Sequence, residues 1–347
     1  MSPSEVAAGP KVRTRGGLQI GLLVVAALVA AAGAACIGRY QIDIGTLLRV
    51  LGSRVFPIEH TWPETVETVL FEVRLPRIAI SMLIGAALSA SGVTFQGIFR
   101  NPLVSPFILG VSGGAGFGAA VAILLDSGSL GIQLSAFSFG ALAVVIAVLL
   151  SRAYSSNPTL VLVLSGIITG GIFTALLGLL KYSADPEDKL PVIEFWLLGS
   201  LSASRASVLL RLAVVVLPAL LLVMALRWRL NLLVFGDETA KSLGVNVTLE
   251  RFIHIALGTL LASASVAVCG IVGWVGLVVP HLARLLVGPD HVRLVPVSLL
   301  LGAIFLLAVD TVARTLTAAE IPLGIVTALL GAPVFAILLR RGERSWM

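Results

Sequence analysis

The 347-residue sequence has only four lysines, Lys11, Lys181, Lys189 and Lys241, and none of them follows a glycine. A phosphate-cradling G-x-x-x-x-G-K-[ST] loop is therefore missing, so the chain does not itself grip a nucleotide. Cysteine is scarcer still: Cys36 and Cys269 both lie in apolar runs. Two thiols so placed supply neither a disulfide framework nor a metal-ligand set. No Ser/His/Asp arrangement occurs in a credible context, and His281 and His291 read as residues of the cytosolic edge rather than ligands. No catalytic residue, metal site or bound cofactor is expected.

Carboxylates inside oily segments are also rare, and an ion-driven carrier needs them there. Only Asp310 lies well inside an apolar run, with Asp126 at the end of another. Arg314 follows Asp310 by four residues, so the two can meet on one helix face as a neutralised pair. A stand-alone ion-coupled transporter working through Asp310 is the alternative from another functional class.

What is abundant is apolar surface. The chain is 58% hydrophobic and only 12% charged. No soluble domain of this length can hide so much, so lipid must be the solvent for most of it. A span takes ~20 apolar residues, which leaves room for about ten. Runs this long and continuous are helices, because backbone groups in lipid must bond within their own segment. The expected fold is an all-α membrane protein, a polytopic bundle of about ten transmembrane helices with both termini cytosolic. The spans fall at 18–37, 75–96, 107–125, 130–150, 160–180, 208–226, 251–272, 273–286 (a short one), 295–312 and 323–339. Residues 1–17 form a cytosolic tail, 18–341 one transmembrane domain, and 342–347 a second tail. Residues 38–73 and 181–205 are external, the latter with a short helix near 193–201.

The net charge of +6 does not suggest nucleic acid in such a chain; its distribution sets orientation. This topology puts fourteen of the 24 basic and six of the 18 acidic residues inside. The cytosolic side is then positive and the outside negative, as the positive-inside rule requires. Small residues recur at four-residue spacing: Gly110, Gly114 and Gly118; Gly166 and Gly170; Gly85 and Ser89. Such faces let helices approach closely where oil cannot drive association.

One stretch breaks the pattern. Residues 235–251 hold Asp237, Glu238, Lys241, Glu250 and Arg251 between two long apolar runs. Asp237 can cap a short helix that stops at Gly244, and Thr248 can start the next. This polar segment reads either as an ordinary loop or as a docking surface for a cytosolic partner.

Several ordered motifs carry a resemblance. They are Arg74-Leu-Pro-Arg77, residues 85–92 (GAALSASG), residues 99–103 (FRNPL) and residues 108–112 (ILGVS). In the second half they are residues 236–244 (GDETAKSLG), 273–281 (GWVGLVVPH), Asp310-Thr-Val-Ala-Arg314, and Glu320-Ile-Pro-Leu-Gly324 through to Phe335. From about Arg74 to its end the chain resembles the FecCD-type permeases, the membrane subunits of importers for iron-siderophores, haem and vitamin B12. The resemblance implies a homodimer with its pathway at the two-fold interface, in a bacterial cytoplasmic membrane. It also implies two cytosolic ATPase subunits, which would hold the ATP-Mg, and an external substrate-binding protein. Asp237, Glu238, Ala240, Lys241, Leu243, Gly244 and Val245 match the family's coupling segment. Arg74, Arg77 and Arg314 match arginines that face acids on the binding protein, read here as exposed guanidiniums at helix ends. Asn101 and Leu103 match the cytosolic gate; a second gate position falls at Ser156 and Asn157, where the sequence departs from the family pattern. The expected cargo is a large metal chelate, a ferric siderophore first, with haem and cobalamin as alternatives.

Overall fold

The structure, a computed structural model, describes residues 11–153, 158–234 and 236–342. All regular elements among the described residues are helical. In chain order they are α1 (Lys11–Cys36), α2 (Ile44–Gly52), α3 (Glu64–Phe99), α4 (Val111–Leu124), α5 (Gly128–Arg152), α6 (Pro158–Ser183) and α7 (Lys189–Leu198). They continue with α8 (Ala206–Val234), α9 (Asp237–Ser242), α10 (Val247–Cys269), α11 (Val275–Val287), α12 (His291–Thr315) and α13 (Leu323–Gly342). Seven of these, α1, α3, α5, α6, α8, α10 and α12, are long and apolar enough to cross a membrane. The apolar helices α4, α11 and α13 are shorter. Each of the ten matches one apolar run, and the chain is a multi-pass membrane protein.

Two runs fold differently from their reading as plain spans. The run at 107–125 does not start as α-helix. Pro106–Leu109 makes a 3-10 turn, and Gly110 turns left-handed at φ +85 before α4 begins. The 14 residues of α4 reach only about 21 Å at 1.5 Å each. In the other direction, α3 starts at Glu64, eleven residues before the apolar run at 75–96. Pro76 lacks the N–H that would bond four residues back, and its ring crowds that carbonyl. The helix absorbs this by widening to π geometry over Val69–Arg74, where the Leu75 N–H reaches the Leu70 carbonyl. The external helix α7 likewise starts at Lys189, ahead of the expected 193.

The core is organised around α3, whose most apolar window is 83% buried, against 17% for α1. The helices α8, α10, α11 and α12 pack around it. The crossings are made by glycine. A Cβ on Gly85 would lie 2.1 Å from the Gly302 carbonyl oxygen, and one on Gly92 only 1.9 Å from that of Gly276. On α4, the same test puts Gly114 at 2.3 Å from the Phe139 oxygen and Gly118 at 2.5 Å from the Ser135 oxygen. These are helices in backbone contact, packed by shape because lipid offers no hydrophobic drive between them. Gly92→Ala should therefore cost more than the usual overpacking penalty of about 1–3 kcal/mol, since a backbone must move rather than a side chain. The check is thermal melting of the detergent-solubilised protein. Gly171→Ala, with nothing within 4 Å of its Cβ, should melt like the parent.

Candidate functional sites at the two ends of the bundle

Chain direction and contacts sort the helix ends into two groups. One end gathers the C-termini of α3 and α8, the whole of α9, and the N-termini of α10 and α12. The other gathers the C-termini of α1 and α12 and the start of α3 and α13. Arg100, Arg229, Lys241, Arg251, Arg284 and Arg293 lie at the first end, which the positive-inside rule makes cytosolic.

At the cytosolic end, α9 stands apart from the bundle as a six-residue helix. Its inner face is Ala240, fully buried against Leu233 and Val247, with Val245 alongside. Its outer face is exposed and carries Glu238, Lys241 and Leu243, the last 62% exposed. Gly244 ends the turn at φ +77, where a side chain would be strained. The cap differs from the sequence expectation. Gly236, at φ +111, occupies the N-cap, and Asp237 is the first helical residue. Its carboxylate does not fold back onto the helix because two guanidiniums hold it: Arg251 at 2.8 Å, and Arg100. The next helix is capped by Asn246, which accepts from the Leu249 N–H at 3.1 Å, rather than by Thr248. The expected gate residues Asn101 and Leu103 occupy the turn that follows Arg100. The Asn101 side chain accepts from the Leu103 N–H at 2.9 Å, and Leu103 is half exposed. Ser156 and Asn157, the other gate expectation, lie outside the described residues.

At the opposite end, Arg74, Arg77 and Arg314 come together, but not as free guanidiniums. Arg74 and Arg77 are 6% and 9% exposed. Arg77 donates to both Asp310 and Glu320, at 2.8 Å each. Arg74 donates to the carbonyls of Ala35, Cys36 and Tyr40, and Arg314 to that of Ala34. These carbonyls are the last of α1 and the chain just beyond it. They have no partner within their helix and sit at the negative end of its dipole, so two cations close it off. Correcting the picture of exposed arginines, burial makes these residues a bracket that ties α1, α3 and α12 together. Asp310 is neutralised, though chiefly by Arg77; Arg314 stays 3.9 Å away. Glu320 enters the sequence reading only as the first residue of a motif, and Arg39 has no assigned role there. Arg39 donates to the Ala318 carbonyl and, with Arg74, Arg77, Asp310, Arg314 and Glu320, lines a 210 Å³ cleft. A larger cleft of 550 Å³ opens at this end between α7 and the α4–α5 turn, beside the Lys189–Asp126 ion pair.

The hydrogen bonds from Arg77 hold the Glu320 carboxyl below its ordinary value of 4.5. A lowered carboxylate contributes stability above that ordinary value and loses it as pH falls through the folded value. Glu320→Gln should therefore melt below the parent at neutral pH, with the gap closing in acid below about pH 4. A gap independent of pH would show that Glu320 acts by shape alone.

Comparison with known proteins agrees with this architecture. The profile of the FecCD transport family matches residues 22–341. The molybdate import system permease protein MolB of Haemophilus influenzae is 42% identical over 328 residues, 94% of this chain and 95% of that one. An iron chelatin transport system permease protein of Helicobacter pylori is 43% identical over 273 residues, 79% of this chain and 82% of its own length. A solved structure described as an inward-facing conformation of a metal-chelate type ABC transporter superposes with a TM-score of 0.83 at 40% identity. It covers 93% of this chain and 98% of that one.

Proposed function

This chain belongs to the FecCD transport family as an ABC importer permease, and on that premise we propose that two copies form a channel in a bacterial cytoplasmic membrane, opened alternately by ATP hydrolysis in partner subunits. Two cytosolic ATPases dock on α9, contacting Asp237, Glu238, Lys241, Leu243 and Gly244, with Ala240 and Val245 anchoring the helix from behind. ATP-Mg is held by those partners, and this chain is no enzyme. The observation that carries the reading is α9 itself. It is a short helix with one buried alanine behind it and a polar, leucine-bearing face turned out at the positive end of the bundle.

A substrate-binding protein docks at the other end. Arg74, Arg77 and Arg314 serve that docking through the field of their cluster rather than as free side chains. With Arg39 they set four guanidiniums against two carboxylates around the cleft, and a net positive surface steers an acidic partner. Asn101 and Leu103 form the cytosolic gate, with Ser156 and Asn157 as the proposed second position.

The cargo is a metal chelate, with ferric siderophore as the leading choice and haem or cobalamin as others of that class. The iron-chelate relative and the metal-chelate transporter structure support it. Molybdate is the second reading, favoured by a relative aligned over nearly the whole chain at almost the same identity. Liposomes holding the permease, its ATPase and internal ATP should take up ferric siderophore only when the binding protein is outside. Uptake by the permease alone under a proton gradient would instead establish the ion-coupled alternative. Thermal shifts of the binding protein with ferric siderophore, haem, cobalamin and molybdate would select among the cargoes.

A further inference from the structure

Arg100 occupies a place that its residue type does not favour. It follows the last residue of α3 at φ +50, ψ +34, in the left-handed region where glycine or asparagine usually ends a helix. Such outliers persist only where surrounding structure holds them, and they point toward function. The side chain here does hold something. Its Nε donates to the Leu233 carbonyl in the last turn of α8 at 2.8 Å, and its Nη2 donates to Asp237 at the start of α9. A single guanidinium thus joins the end of α3, the end of α8 and the first residue of α9. The Asp237 oxygen that it grips also receives Arg251 from α10. Beyond Arg100 the chain enters directly the turn of Asn101 and Leu103. That turn is tied back to α3 through the Asn101 N–H and the Gln96 carbonyl at 3.2 Å.

The geometry points to Arg100 as the positioning residue that carries a displacement of α9 to the Asn101–Leu103 turn. This inference rests on the docking of an ATPase on α9. The guanidinium is a planar fork of fixed geometry, so its two bonds fix the angle between α8 and α9. An α9 pulled by a docked partner drags Asp237. Asp237 draws on Arg100, and the backbone of Arg100 is the hinge of the turn. The left-handed conformation is the one that aims this side chain back across the ends of α8 and α9 while the chain itself reverses.

The test needs no knowledge of the cargo. The permease–ATPase complex is placed in lipid nanodiscs with Leu103→Cys as a reporter and Cys36→Ser to silence the accessible native thiol. Maleimide labelling of the reporter is timed without nucleotide and with ATP-Mg trapped by vanadate. With Arg100 present the two rates should differ roughly tenfold, within the usual range of coupling between distant sites. In Arg100→Ala the difference should vanish while vanadate trapping by the ATPase persists. Arg100→Lys, whose ammonium can still reach Asp237 but cannot hold the Leu233 carbonyl in the same fork, should retain part of it and guards against a mere failure to fold. A full difference in Arg100→Ala overturns the inference. So does a lysine variant as insensitive as the alanine one, since the link through Asp237 would then carry nothing. Failure of the ATPase to bind the parent permease would remove the docking reading and this inference with it.

Discussion

Ala240→Pro should abolish ATP-driven uptake while leaving the transmembrane bundle intact. The Ala240 N–H donates to the Gly236 carbonyl at 2.9 Å, which is the first intrahelical bond of α9. Proline removes that donor and drives its ring against the Gly236 carbonyl, at a cost of about 3 kcal/mol in a helix interior. A helix of six residues has little else to hold it. It depends on the contact of Ala240 with Leu233 and Val247, which the same substitution disturbs. A loss of that size is about a hundredfold in an equilibrium constant. Recovery of the ATPase on immobilised permease should fall by about that factor. The melting temperature of the permease should barely change, because α9 lies outside the packed helices. Undiminished ATPase recovery with full uptake would show that the partner docks elsewhere.

Asp310→Ala should be the most damaging single change at the opposite end. It leaves Arg77, already buried, with one carboxylate instead of two, and strips Arg314 of its nearest anion. Breaking a buried charge pair from one side costs about 3–5 kcal/mol, because the remaining charge has no solvent to turn to. The expected readout is a large drop in melting temperature and in the yield of monodisperse protein. Arg77→Met combined with Asp310→Leu replaces the buried pair with apolar bulk, so it should recover part of that loss, with Glu320 left without Arg77 and Arg314 without Asp310. This pair of variants also separates the two accounts of Asp310. If the carboxylate were a coupling-ion site, the double variant would be stable and Asp310→Ala would be stable too, with only gradient-driven uptake lost.

The oily runs were legible because composition alone decides between water and lipid as solvent. The polar segment at 235–251 was legible for the complementary reason, as contrast against its flanks. Which helix lies at the centre was not. The apolar helices are greasy on every side, so no stripe tells a core face from a lipid face. The glycine spacing marked where contact would occur without naming the partner. The long start of α3 was hidden because its first turns are polar, while the interruption before α4 was hidden within an unbroken apolar run. The charged residues followed chain distance. The Asp310–Arg314 pair was visible at four residues. The stronger bonds of Arg77 to Asp310 and Glu320 span 233 and 243 residues, and that of Arg100 to Asp237 spans 137. No local pattern foretells those.

The touching backbones of Gly85 and Gly302 restrict how α3 can move against α12. With no side chain between them, sliding would drive each carbonyl into the facing backbone, whereas tilting leaves the point of contact in place. The crossing is therefore a fulcrum with unequal arms. At 1.5 Å per residue, Arg77 lies about 12 Å from it and Arg100 about 22 Å. Any rocking of α3 swings its cytosolic tip through roughly twice the arc of its outer, salt-bridged shoulder.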